Sequence, residues 1–102
     1  MYFPIFEDRE ESIFAPDVIC NRLRKIEGIS PRGSYRLAPR EHSNGQQRKL
    51  ELYELDGAAI IYRSICTERI VSNRPVRTNN LGIIADSIEK AEAIKIKIGI
   101  SP

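Results

Sequence analysis

Apolar and polar residues alternate most strongly between Lys49 and Cys66. Two apolar-rich runs, Lys49 to Leu55 and Ala58 to Cys66, flank Asp56-Gly57. Asp-Gly between two such runs predicts a hairpin with a two-residue type I′ turn, in which both turn residues need positive φ. That turn sets Leu55 opposite Ala58, Tyr53 opposite Ile60, Leu52 opposite Ile61 and Leu50 opposite Arg63. Leu50, Leu52, Ile61 and Ile65 then share one face, and Tyr53, Leu55, Ile60 and Tyr62 share the other. Neither face is polar, whereas a sheet wetted on one side alternates cleanly. The second face therefore needs a cover, either Tyr2, Phe3, Ile5 and Phe6 of the N-terminal arm or a second copy of the chain. A helix through Ala58 to Val71 matches some spacings (Ala58, Ile61, Ile65). The isoleucine-rich run after a turn signal favours a strand instead.

Helical spacing governs the segments on either side. Ile19, Leu23 and Ile26 repeat at i, i+4, i+7 and predict a helix from about Pro16 to Glu27. Pro16 suits the first helical position, Asp17 favours the first turn, and Gly28 with Ser30-Pro31 ends the helix. Ser34 to Ala38 reads as a strand with Tyr35 and Leu37 on one face, followed by a polar loop from Pro39 to Gln47. Ile70-Val71 can resume the sheet, and Ser72 to Asn80 reads as a second polar loop. Asp86-Ser87-Ile88-Glu89 has capping-box spacing and opens a second helix. Ile88, Ala91 and Ile98 fit a helical stripe, but Ile94, Ile96, Ile98 and Ile100 also alternate at period two. The reading adopted is helix to about Lys97.

These elements predict an α+β fold: a three- or four-stranded, mainly antiparallel sheet with two helices on one face, in the order α-β-β-β-α. The expected core is Ile19, Leu23, Ile26, Leu37, Leu50, Leu52, Ile61, Ile65, Ile84, Ile88 and Ala91. Residues 1–15 read as an acidic arm packing on, or exchanging with, a single domain over 16–102. The helix–strand–strand–strand–helix order over about residues 16–98 is similar to that of double-stranded-RNA-binding domains. Those domains begin their last helix with lysines, where this chain has the acidic Asp86-Ser87-Ile88-Glu89-Lys90, so none of their binding residues is carried over.

The 102 residues fit one domain, and the net charge of +2 argues against a polybasic or acidic disordered chain. The charge is unevenly spread, with net −4 over residues 1–19 and +6 over residues 20–50. No segment has the length of a membrane span and no basic start precedes a signal-peptide core, so the expected location is cytoplasmic. Cys20 and Cys66 lie among apolar neighbours and read as reduced, buried residues.

Catalytic signals are absent. His42 is the one histidine, set in a polar loop with no nucleophile motif beside it. There is no zinc-ligand spacing, phosphate-binding loop or dinucleotide fingerprint, so no cofactor and no metal are expected. The expected function is a non-catalytic module that binds protein, including itself, through Tyr53, Leu55, Ile60 and Tyr62. The alternative is nucleic-acid binding through Arg22, Lys25, Arg32, Arg36, Arg40 and Arg48, with Tyr35 available for stacking.

Overall fold

Asp56 and Gly57 take φ of 50° and 79°. The turn joins its strands in the register expected from Asp-Gly, from Leu55 opposite Ala58 to Leu50 opposite Arg63. The computed structural model describes residues 1–12, 17–37, 47–69 and 74–100. Its elements are β1 (Tyr2–Ser12), α1 (Val18–Arg24), β2 (Ser30–Leu37), β3 (Gln47–Leu55), β4 (Ala58–Arg69), β5 (Arg74–Ile84) and α2 (Ile88–Ile98). The strands form one sheet in the order β1-β5-β4-β3-β2, with every neighbouring pair antiparallel. β1 and β2 are its two edges, although only α1 separates them in sequence.

The expected three- or four-stranded sheet in the order α-β-β-β-α is therefore corrected to five strands in the order β-α-β-β-β-β-α. The comparison with double-stranded-RNA-binding domains loses its basis with it. Two segments account for the difference. Residues 2–12, with a proline and a charged run, read as part of an acidic arm packing on, or exchanging with, the domain. They form an edge strand, the one place where proline and unpaired charges suit a sheet. Register shifts between Pro4 and Phe6 and between Phe6 and Arg9 break its alternation. The polar loop expected over Ser72 to Asn80 is corrected as well: Arg74–Ile84 forms β5, which pairs with β4 along its length and with β1 from Val76 to Ile84.

The two helices cover one face of the sheet. α1 is capped by Asp17, which accepts from the Cys20 backbone N–H at 3.0 Å. It ends at Arg24, three residues before the expected Glu27. Lys25 and Ile26 donate to carbonyls three residues back, which tightens the last turn. α2 is capped by Ser87 rather than Asp86, because the Ser87 hydroxyl accepts from the Lys90 N–H at 3.2 Å. It runs to Ile98 and stops at Gly99 with φ 66°, in the left-handed region that glycine adopts freely. Ala91, Ile94 and Ile98 form its buried stripe, while Ile96 is exposed, so the helical period wins over the period of two. Arg22 of α1 donates to the Gly99 carbonyl at 3.2 Å and ties the two helices together.

The core lies between these helices and the face bearing Tyr53, Leu55, Ala58, Ile60, Tyr62, Leu81 and Ile83. Ile19, Leu23 and Ala91 are buried as expected. Leu50, Leu52, Ile61 and Ile65 were expected in the core but are only half-buried on the opposite face. Ile84 and Ile88 are exposed, and Ile26 is partly buried against the core. The side chain of Leu37, the Ile70-Val71 segment, Pro16, and Arg40 and His42 with the loop expected around them lie outside the described residues. No helix among the described residues is long and apolar enough to cross a membrane.

Candidate functional site

Two features carry candidate chemistry, one on each side of the sheet. The first is a polar network between α1 and β3. Alternation along β3 turns Glu51 toward the helices with Tyr53, and Glu51 is 2% exposed. The Cys20 thiol and the Tyr53 hydroxyl donate to its Oε2. Lys49 Nζ lies 3.0 Å and Arg24 3.3 Å from Oε1, and the Ser34 hydroxyl donates at 3.5 Å. Farther along the same face, the Tyr62 hydroxyl donates to Asn79 Oδ1 at 2.8 Å and lies 3.3 Å from Asp17 Oδ1.

This environment sets the protonation states. Burial disfavours the Glu51 carboxylate, but the bonds donated by Cys20, Tyr53 and Lys49 outweigh it and hold its pKa at about 2. Burial, reinforced by the bond to Glu51, pushes the Cys20 thiol up to about 11. The same two causes raise Tyr53, and burial foremost raises Tyr62. At neutral pH the network is one carboxylate surrounded by protonated donors. A general base works best with a pKa near the operating pH, and a cysteine nucleophile needs its thiolate. The network links Cys20 and Arg24 of α1 to Glu51 and Tyr53 of β3. Both cysteines are free, Cys20 buried and Cys66 half-buried. No cluster with the makings of a metal site occurs among the described residues.

The second feature is the uncovered face of the sheet. Its central row runs Gly33, Leu52, Ile61, Gly82 across β2, β3, β4 and β5. The ring of Tyr35 lies over Gly33 and the ring of Tyr2 over Gly82, where any Cβ would collide with them. Glycine here has a steric use: it lets an aromatic ring lie flat on the sheet. The result is an apolar strip of Tyr35, Leu52, Ile61 and Tyr2 reaching from one edge strand to the other. Tyr35 is 50% and Tyr2 42% exposed.

Tyr53, Leu55, Ile60 and Tyr62, the expected protein interface, are between 0 and 3% exposed beneath the helices. On this chain they are core residues, and the uncovered apolar surface is the reverse of the hairpin. Among the described residues the expected nucleic-acid contacts do not come together either, and Arg40 lies outside those residues. Arg22 and Lys25 belong to α1 and its cap on the helix side. Arg32 pairs with Glu54 at 2.7 Å. Tyr35 and Arg48 share the open face, while Arg36 sits opposite Lys49 on the other. Sequence analysis did not single out Glu51, nor Gly33 and Gly82, whose role depends on pairing across strands.

No protein-family model matches the sequence, and no curated protein or solved structure matches it.

Proposed function

We propose that this protein is a non-catalytic binding module that docks a second copy of itself through the open face of the sheet. The observation that carries this reading is the strip of Tyr35, Leu52, Ile61 and Tyr2, an exposed apolar and aromatic surface with no cover among the described residues. Patches of this kind mark interaction sites, and tyrosine is enriched in them. Two sheets can stack face to face with their strands nearly aligned.

Size favours a second copy as the partner. The molecule measures 42 × 24 Å in its two longest directions. A face of that footprint is of the order of the ~800 Å² that each partner contributes to a stable interface. A two-fold axis along β4 lays β1 of one copy over β2 of the other. Pairing through the sheet edges is less suited, because each edge strand carries a proline and a register shift.

Sedimentation equilibrium tests the reading. The wild-type chain is expected to approach twice its 11.6 kDa as concentration rises. Ile61→Glu should remain monomeric with its circular dichroism unchanged. Gly82→Ala should weaken association by lifting the Tyr2 ring. A wild-type chain that stays at 11.6 kDa up to about 1 mM, the weak end of measurable affinity, refutes self-docking.

A further inference from the structure

Beside the apolar strip the open face holds a cavity of about 360 Å³. Leu50 and Ile65 line it together with Arg48, Arg63, Asn80 and Asp8. Arg48 lies opposite Ile65 and Arg63 opposite Leu50, so the two arginines are diagonal neighbours on adjacent strands. Diagonal Cβ atoms stand roughly 7–8 Å apart, within reach of two long side chains that converge on one group. Neither guanidinium forms an ion pair or hydrogen bond with another of the described residues.

The rest of the rim is also built from identifiable causes. Asn80 Oδ1 accepts from the Asp8 backbone N–H at 3.1 Å. That bond fixes the amide orientation and leaves the Nδ2 hydrogens as donors. Asp8 sits in the β1 irregularity between Phe6 and Arg9 with φ 52°, a left-handed conformation that aspartate tolerates. Bulges of this sort re-aim side chains, and here Asp8 joins the cavity at the β1 side.

We propose that this cavity binds a small organic anion: a carboxylate or phosphoryl group carried on an apolar body. The planar forks of Arg48 and Arg63 match either oxyanion, and the Asn80 amide adds a neutral donor. Leu50 and Ile65 give the apolar body a floor. The volume is within the range of small-molecule sites. Asp8 lies two strands away from Arg63, roughly 10 Å at the usual strand spacing. It disfavours a second anionic group at that end and suits a hydroxyl or amine. The site goes beyond self-docking and does not rest on it: a single copy presents both arginines on its open face, whereas a docked copy would lie over them, so the titration is run at a concentration where the chain is monomeric.

The test is an amide-resolved NMR titration of the full chain with benzoate, phenyl phosphate and inorganic phosphate. Benzoate and phenyl phosphate should give saturable shifts confined to residues 48–50, 63–65 and 80. The stronger of the two identifies the anionic group. Inorganic phosphate should bind more weakly, because it cannot use the apolar floor. Arg48→Ala and Arg63→Ala should each weaken binding by on the order of tenfold, the usual worth of a charged hydrogen bond. Lys25→Ala, on the helix side, should leave it unchanged. Each variant's spectrum reports its fold directly, and neither guanidinium has a partner among the described residues whose loss would disturb it. No saturable shift up to about 20 mM of either organic anion, where even millimolar binding saturates, overturns the proposal. Equal binding of inorganic and phenyl phosphate, or binding indifferent to both arginine variants, overturns it as well.

Discussion

Ile60→Ala is expected to destabilise the protein by ~2–5 kcal/mol, and Ile61→Ala by less than about 1 kcal/mol. The two residues are adjacent, identical in type and on the same strand, so helix or strand propensity does not separate them. Only the direction of the side chain does. Ile60 is fully buried between Tyr53 and Ile83 on the helix-covered face. Removing its distal carbons leaves a cavity that the packed helices and sheet fill only in part. Ile61 is half-buried between Leu52 and Gly82 on the open face, where water occupies whatever space the substitution creates. Urea denaturation at low micromolar protein decides between them, since dilution keeps self-association from adding to the Ile61 difference. Equal losses, or a larger loss at Ile61, would show that the helices cover the other face.

That contrast marks where the sequence stopped being legible. Asp56-Gly57 fixes a turn geometry, and the turn fixes the register of its two strands, so which residues oppose each other follows from local chemistry alone. Which face goes inward does not follow, because both faces of the hairpin are apolar. The neighbours that decide it are β5 and β1. On β5 the inward row is Asn79, Leu81, Ile83 and the outward row Asn80, Gly82, Ile84. The first row continues the surface of Tyr62 and Ile60; the second interrupts that of Ile61 with a glycine. Without a predicted strand over residues 74–84, this information was not usable. Polar residues such as Asn79 are uncommon in strands, and this fully buried one accepts a hydrogen bond from Tyr62 at its Oδ1.

The open face follows the same logic. Gly33 and Gly82 are separated by 49 positions and look like ordinary loop and strand-end glycines. Paired into one row they become the seats of two tyrosine rings. The arginines of the basic segment illustrate the converse. They are close in sequence, but alternation along β2 and β3 and the end of α1 distribute them over both sides of the molecule. Proximity in sequence made a patch that the fold takes apart, and Arg48 finds its companion in Arg63, which no charge run indicated.

Glu51→Gln is expected to cost roughly 3 kcal/mol at pH 7 and to remove part of the protein's sensitivity to acid. A carboxylate at an ordinary 4.5 in the unfolded chain is held at about 2 in the fold. At about 1.4 kcal/mol per pKa unit, that difference contributes roughly 3 kcal/mol. The folded value is depressed, so the contribution is fully present above about pH 4.5 and is lost as pH falls through about 2. The loss has a structural cause: once protonated, Glu51 no longer satisfies the Cys20 thiol, the Tyr53 hydroxyl and the Lys49 ammonium together. Glu51→Ala should cost more, on the order of 3–5 kcal/mol, since it strands these donors beside an empty space. Cys20 works in the opposite direction. Its thiol is raised from 9.0 to about 11, so the stability it contributes is present below pH 9 and declines as pH rises toward 11. Urea midpoints of wild type, Glu51→Gln and Cys20→Ala between pH 2 and pH 11 separate the two effects. The wild-type and Glu51→Gln curves should converge near pH 2, and the wild-type and Cys20→Ala curves should approach each other near pH 11. Curves that stay parallel across the acid range would mean that Glu51 ionises as it does in the unfolded chain, and the network would then not be what holds α1 to the sheet.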